Sequence, residues 1–482
     1  MLKQLNILLK ISFVITSFLS CSNDDDVTGS GNDDEYEDII TVEIEASEEF
    51  PGGATTVRDV SGSAFEFKAS NLTLDEDIPF FTGNSFFEQA WVAAPASTSG
   101  RDGLGPFFNA RACATCHLFD GRGRVPEFEG EVNHGLLLRL KTATLDEFGK
   151  QMGDPIYGGQ LQDQSLTRVE TEGGFNITYT DKTVEYPDGS SVTLRDPNYE
   201  VVNLVYGELA SNVIISPRIA NQMIGLGLLE AIKEEDLLLN VDENDSDNDG
   251  VSGRVNMVYD FKNKVTTIGR FGWKANEPSI EHQVAGAFSG DLGLTTSIFL
   301  EENCTAGADC SEIPNGNTGD DNFEVSDLVL DRVTFYSSTL AVPARRNFDT
   351  EETAAGKQLF FDAQCVSCHI PKYTTGSHAI SVLENQTIYP YTDLLIHDMG
   401  EDLADGVGDF IANGQEWRTP PLWGIGLFQT VNRHTQLLHD GRARNVEEAI
   451  LWHGGEAEIA KQNFMNYTAE ERQLVIDFIN TL

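Results

Sequence analysis

Two short stretches constrain this chain more than anything else in it: Cys113-Ala114-Thr115-Cys116-His117 and Cys365-Val366-Ser367-Cys368-His369. Each sets two thiols three positions apart and an imidazole directly after them. At a helical start, that spacing lets both thiols reach the two vinyl groups of one porphyrin and puts the His under the iron. One chance occurrence has odds of roughly two in a thousand, and two of about one in a million, if residues are independent. Thioredoxin-like redox pairs or a shared zinc site are the rival readings, and neither explains a His after both pairs. The motifs therefore predict two covalent c-type haems on Cys113, Cys116, Cys365 and Cys368, with His117 and His369 as proximal ligands.

Seven cysteines are present, so Cys21, Cys304 and Cys310 remain. Cys304 and Cys310 flank a short Gly/Ala/Asp loop. In an oxidising compartment they read as a small disulfide, with two free thiols as the plainer alternative. Residues 1–20 carry Lys3 and Lys10, then an apolar run from Ile11 to Leu19, which describes a secretory signal. The run is about half the ~20 apolar residues a membrane span needs. Cys21 after Phe18-Leu19-Ser20 resembles a bacterial lipoprotein cleavage box, except that Leu usually stands where Phe18 does. Acyl chains on Cys21 would hold the body at an outer-membrane or cell-surface face without a span. Twelve acidic and no basic residues lie between Ser22 and Phe50, so residues 21–50 read as a self-repelling tether.

The whole chain has 482 residues and a formal net charge of -45, enough length for two or three domains and too negative to make nucleic acid a partner. No repeat of fixed period is visible beyond the two attachment motifs. A helix is expected before each: Phe86, Phe87 and Trp91 share a face before the first, and Asp349 with Glu352 predicts a capping box before the second. Between about 141 and 263 the texture turns to β, with alternation at Phe175–Tyr179 and a Pro187-Asp188-Gly189 turn. Pro217 to Ile232 is expected to be a helix. A final helix is signalled by Thr468 and Glu471, with Leu474, Val475, Phe478 and Ile479 as its buried stripe.

Around the motifs the chain resembles the bacterial di-haem oxidoreductase family, also labelled peroxidase or thiol oxidoreductase. Gly105-Pro106-Phe107-Phe108-Asn109-Ala110-Arg111 and Asp120-Gly121-Arg122-Gly123-Arg124 flank the first site. Phe271-Gly272-Trp273-Lys274-Ala275, Gln283 to Phe288, His397-Asp398-Met399-Gly400, Thr419-Pro420-Pro421-Leu422-Trp423 and His439-Asp440-Gly441-Arg442 extend the match. The family is distantly similar to di-haem cytochrome c peroxidases. The resemblance implies a mainly α fold of two cytochrome c-like domains, residues 51–345 and 346–482, with the mixed α/β block 141–263 inserted in the first.

It also implies further site residues. Relatives carry a haem ligand fourteen residues beyond the His of their H-D/N-G segment, which here is His453. Asn445 can cap a helix on which Val446, Ala449, Ile450 and His453 share one face. His134, seventeen residues after His117, stands near a detachable distal His of the peroxidases; a surface His or a propionate contact is the alternative. Met399 is a weaker candidate ligand. The peroxide-cleaving acid corresponds to Asp291 with Gln283 as its pocket neighbour, although the relatives have Glu at a longer interval. Trp273 matches a Trp between the haems, with a buried core Trp as the alternative.

Two functions follow from the resemblance. One is an exported peroxidase-like oxidoreductase, in which the second haem passes electrons from an external donor to a reactive first haem that meets peroxide or another small oxidant. The other is a non-catalytic electron-transfer cytochrome, tied in some relatives to iron acquisition. Separately, Asp245-Ser246-Asp247-Asn248-Asp249-Gly250-Val251 reads as a calcium loop, with Asp245, Asp247, Asp249 and the Val251 backbone as ligands. Its twelfth position is Asn256 rather than Glu, and a solvated acidic loop is the alternative.

Overall fold

Two helix pairs, each closed through one glycine, frame the regions around the attachment motifs. In the first, the helix Asp77–Glu88 buries Phe80, Gly83 and Phe87. It lies on the helix Asp327–Thr339, whose Ser326 cap accepts from the Val329 amide. A methyl group on Gly83 would stand 2.1 Å from the Arg332 carbonyl oxygen, so only glycine allows this approach. In the second pair, the helix Glu351–Asp362 packs on the terminal helix Ala469–Thr481. Gly356 meets the Leu474 carbonyl oxygen in the same way, at 2.1 Å for a notional Cβ. Thr350, not Asp349, caps the 351–362 helix, because the Thr353 amide donates to its hydroxyl. Thr468 and Glu471 do form a capping box at the last helix.

The computed structural model describes residues 42–126, 131, 135–317 and 322–482. The signal, Cys21, most of the acidic tether and His134 lie outside the described residues. Val42 to Leu482 form one compact unit. Backbone bridges join distant segments within it, Val57 with Pro343 and Arg254 with Ile396. Among the described residues no helix is long and apolar enough to cross a membrane.

The fold is not mainly α as expected: only 28% is helical and 18% is strand. Strands are not confined to the 141–263 block. The described residues carry six two-stranded sheets, including Met257–Asp260 with Val265–Ile268 and Ile396–Asp398 with Glu416–Arg418. With 44 Gly and 16 Pro, the chain repeatedly breaks helices and leaves short paired segments and loops. The expected helix over 217–232 fails for this reason. Pro217 sits in the strand Ile214–Ile219, paired with Leu138, and only Leu226–Glu230 is helical. Gly225, at φ 70°, makes the turn between them.

The longest β feature is a hairpin, Gly174–Glu185 with Ser191–Val202 in antiparallel register. Asp188 and Gly189 lie in its turn, Gly189 at φ 86°. The hairpin is tied to the segment 441–447: Tyr186 Oη donates to Glu447 at 2.8 Å and Arg195 donates to the Gly441 and Arg442 carbonyls at 2.9 Å.

Candidate functional site

The first motif forms the single helical turn Cys113–Cys116, with Ala112 extended before it. His117 follows and turns its Nδ1 to the Asn221 carbonyl at 2.7 Å. A carbonyl only accepts, so Nδ1 carries the hydrogen and Nε2 is left as a lone-pair donor. Burial holds this imidazole below its ordinary range, and so neutral. Burial also pushes the Cys113 thiol up to about 12. These side chains line a cavity of about 240 Å³.

The second motif repeats the arrangement in a different backbone. Cys365–Ser367 is a 3-10 turn entered through Gln364 at φ 66°. His369 donates Nδ1–H to the Tyr391 carbonyl at 2.9 Å, and burial lowers it to about 4. His453 closes the helix Val446–Trp452, which Asn445 caps, and bonds the Ala449 carbonyl through Nδ1 at 2.6 Å. Both imidazoles therefore keep Nε2 for a ligand, and both line one cavity of about 190 Å³. Met399 and His397 line it as well.

The two cavities share a wall. Gln222, Trp273, Arg418, Pro420 and Pro421 line both. Trp273 is fixed by donating Nε1–H to the Ile219 carbonyl at 2.8 Å, with the Arg122 guanidinium 5.1 Å from its ring centre. Arg418 donates Nε–H to the Gly272 carbonyl at 2.8 Å. Although the chain is strongly acidic, among the described residues the first cavity is lined by five basic side chains (Arg139, Lys141, Lys150, Arg218, Arg418) against three acidic ones (Glu277, Asp291, Asp409). The second cavity holds two buried nitrogens without a hydrogen-bond partner, Arg122 Nε and His439 Nε2. Orphaned buried polar atoms cost roughly 1–3 kcal/mol each, so a polar guest belongs there. A porphyrin with two carboxylates, two thiol-reactive arms and an imidazole-seeking metal fits both donor sets.

The structure brings the other expected residues to these cavities unevenly. Gln283 and Asp291 both line the first cavity from the helix Ile280–Leu292, which Ser279 caps. Asp291 Oδ1 accepts from Gln160 Nε2 at 2.9 Å, and its carbonyl accepts from the Asn109 and Ala110 amides. Its charge raises Cys113 and Cys116 after burial itself does, so it stands beside the attachment motif. A second carboxylate was not legible: Glu277 lines the same cavity, is buried, and accepts from His282 Nδ1 at 2.5 Å. The turn before Ser279 carries no spacing that marks it.

Asp245, Asp247 and Asp249 bring carboxylate oxygens within 4.8 Å of one another. Asp245 and Asp249 also accept from the Gly250 and Val251 amides. Asn256 takes no part, because its Nδ2 donates inward to the Lys274 and Asp409 carbonyls. Asp249 and Val251 lie on the lining of the second cavity. Cys304 and Cys310 are joined as a disulfide, while the four motif cysteines are free.

A family model described as "Di-haem oxidoreductase, putative peroxidase" matches residues 43–482. A comparison with curated proteins finds no match. Among solved structures, Kuenenia stuttgartiensis hydrazine synthase pressurised with xenon is 13% identical, covering 89% of this chain and 94% of that one at a TM-score of 0.35.

Proposed function

Because the chain belongs to the di-haem oxidoreductase family, we propose that it is an exported, peroxidase-like enzyme whose two haems are bound covalently and share unequal work. Cys113, Cys116 and His117 would hold the first, and Cys365, Cys368, His369 and His453 the second. Bound there, the haems would supply one-electron redox chemistry. The observation that carries the reading is the shared wall, together with the different imidazoles in the described linings of the two cavities. Trp273 faces both cavities. The second cavity presents the imidazoles of His369 and His453, while the described lining of the first presents only that of His117. A closed iron suits relay and an open one suits reaction with a small oxidant.

The chain's own residues have distinct tasks in this scheme. The Asn221 and Tyr391 carbonyls fix the tautomers of His117 and His369. Trp273 fills the gap with a polarisable ring where water would otherwise enter. Gln283 and a cavity carboxylate, Asp291 or Glu277, would hold and move a proton at the open face. An external donor, a small redox protein or a membrane chain reached through a lipid anchor on Cys21, would feed the second haem.

The test is an intact mass and an optical spectrum of the full chain made with cytochrome maturation machinery. Two haem masses, a high-spin component and its loss on adding peroxide are expected. A mass without haem, or a purely low-spin spectrum indifferent to peroxide in both redox states, overturns the proposal; the latter result is that of an electron-transfer cytochrome.

A further inference from the structure

His397 lines the second cavity and is only 2% exposed, yet it has a carboxylate on each ring nitrogen. Nε2 lies 2.8 Å from Asp393 Oδ2 and Nδ1 lies 2.8 Å from Glu456 Oε2. Ionised carboxylates only accept, so both ring nitrogens must donate and the ring is an imidazolium. Burial opposes that charge, and the Asp393 carboxylate favours it. The same Nδ1 stands 3.6 Å from Sγ of Cys368, one of the two thiols of the second motif.

The cation cannot swing away. Asp393 Oδ1 accepts from the Leu395 amide at 2.9 Å. Glu456 accepts from the Ser252 amide and hydroxyl, both at 2.9 Å, and from the Asp398 amide at 3.1 Å. Gly253 lies against the ring so closely that a Cβ there would be 2.5 Å from His397 Cε1. Elsewhere a single backbone carbonyl holds Nδ1, as at His117 and His369.

We propose that His397, clamped as a cation between Asp393 and Glu456, is a positioning residue that sets the reduction potential of the second haem relative to the first. The proposal rests on the reading that a haem is bonded to Cys365 and Cys368. A fixed positive charge beside a low-dielectric haem favours its reduced state, and the flanking carboxylates oppose this. Removing the cation should therefore lower the potential, and removing one carboxylate should raise it.

The experiment is a spectroelectrochemical titration of the full-length di-haem protein and of the variants His397→Gln and Glu456→Gln. H397Q is expected to lower the midpoint of the second haem, E456Q to raise it, and neither to move the first. An unmoved second haem, shifts of one sign in both variants, or an equal shift of the first haem overturns the proposal. Should H397Q lose haem, E456Q decides alone: a rise upholds the proposal, and no change or a fall overturns it. A wild-type mass without haem overturns the functional reading as well, whereas unmoved potentials overturn only the role of His397.

Discussion

At the residue scale, the molecule assigns its histidines by what each Nδ1 meets. His117, His369 and His453 donate Nδ1–H to the carbonyls of Asn221, Tyr391 and Ala449, which leaves Nε2 free for a metal. His397 meets acids on both sides and becomes a charge instead. His439 is stacked on Trp417 with ring centres 3.7 Å apart, and its Nε2 waits for a partner. These fates differ although the residue type is one. His453→Ala should leave two haem masses but convert the second haem from low-spin to high-spin in the optical spectrum. An unchanged spectrum would mean that His453 is not a ligand. His117 and His369 stand out in sequence because each directly follows a cysteine pair. His397 was read only as part of a segment, since its carboxylates come from four residues before it and fifty-nine after it.

At the scale of elements, close packing through glycine does what amphipathic patterning alone does not. Gly83 and Gly356 each let one helix lie against a partner's backbone carbonyl. Gly83→Ala and Gly356→Ala should each cost on the order of 2–3 kcal/mol through overpacking, read as a lowered thermal midpoint. Gly174, where a Cβ would meet nothing within 4 Å, is the control and Gly174→Ala should be nearly neutral. If all three variants melt with the wild type, the helix contacts do not limit stability. The capped helices at 446 and 469 were legible because their signals are local: Asn445 and Thr468 bond amides three residues on. The strand at 214–219 was not, because its pairing with 136–141 supplies the hydrogen bonds that outweigh helical propensity.

At the scale of the whole molecule, one buried acid ties the β block to the disulfide loop. Glu172 is fully buried, accepts from the Gln162 amide at 2.5 Å and from the Thr305 hydroxyl, and burial raises it to about 7. In the unfolded chain a Glu titrates near about 4.3. The folded state thus binds more protons between those values, so its contribution is fully present below about pH 4 and is lost as pH rises through about 7. The loss should be on the order of 3–4 kcal/mol. The wild-type thermal midpoint should fall between pH 5 and pH 8, and Glu172→Gln should flatten that fall. A variant with the same fall as the wild type would place the pH dependence elsewhere.

By itself the sequence determined that two thiols and an imidazole stand together at each motif, because that spacing is fixed along the chain and survives any fold. It also determined the caps and turns, whose hydrogen bonds close within a few residues. Only the tertiary structure decided that the two cavities share Trp273 and Arg418, that Glu277 enters the first, and that His397 is charged. Those outcomes depend on burial and on partners brought together from distant parts of the chain, and neither dielectric nor distance is written in local spacing.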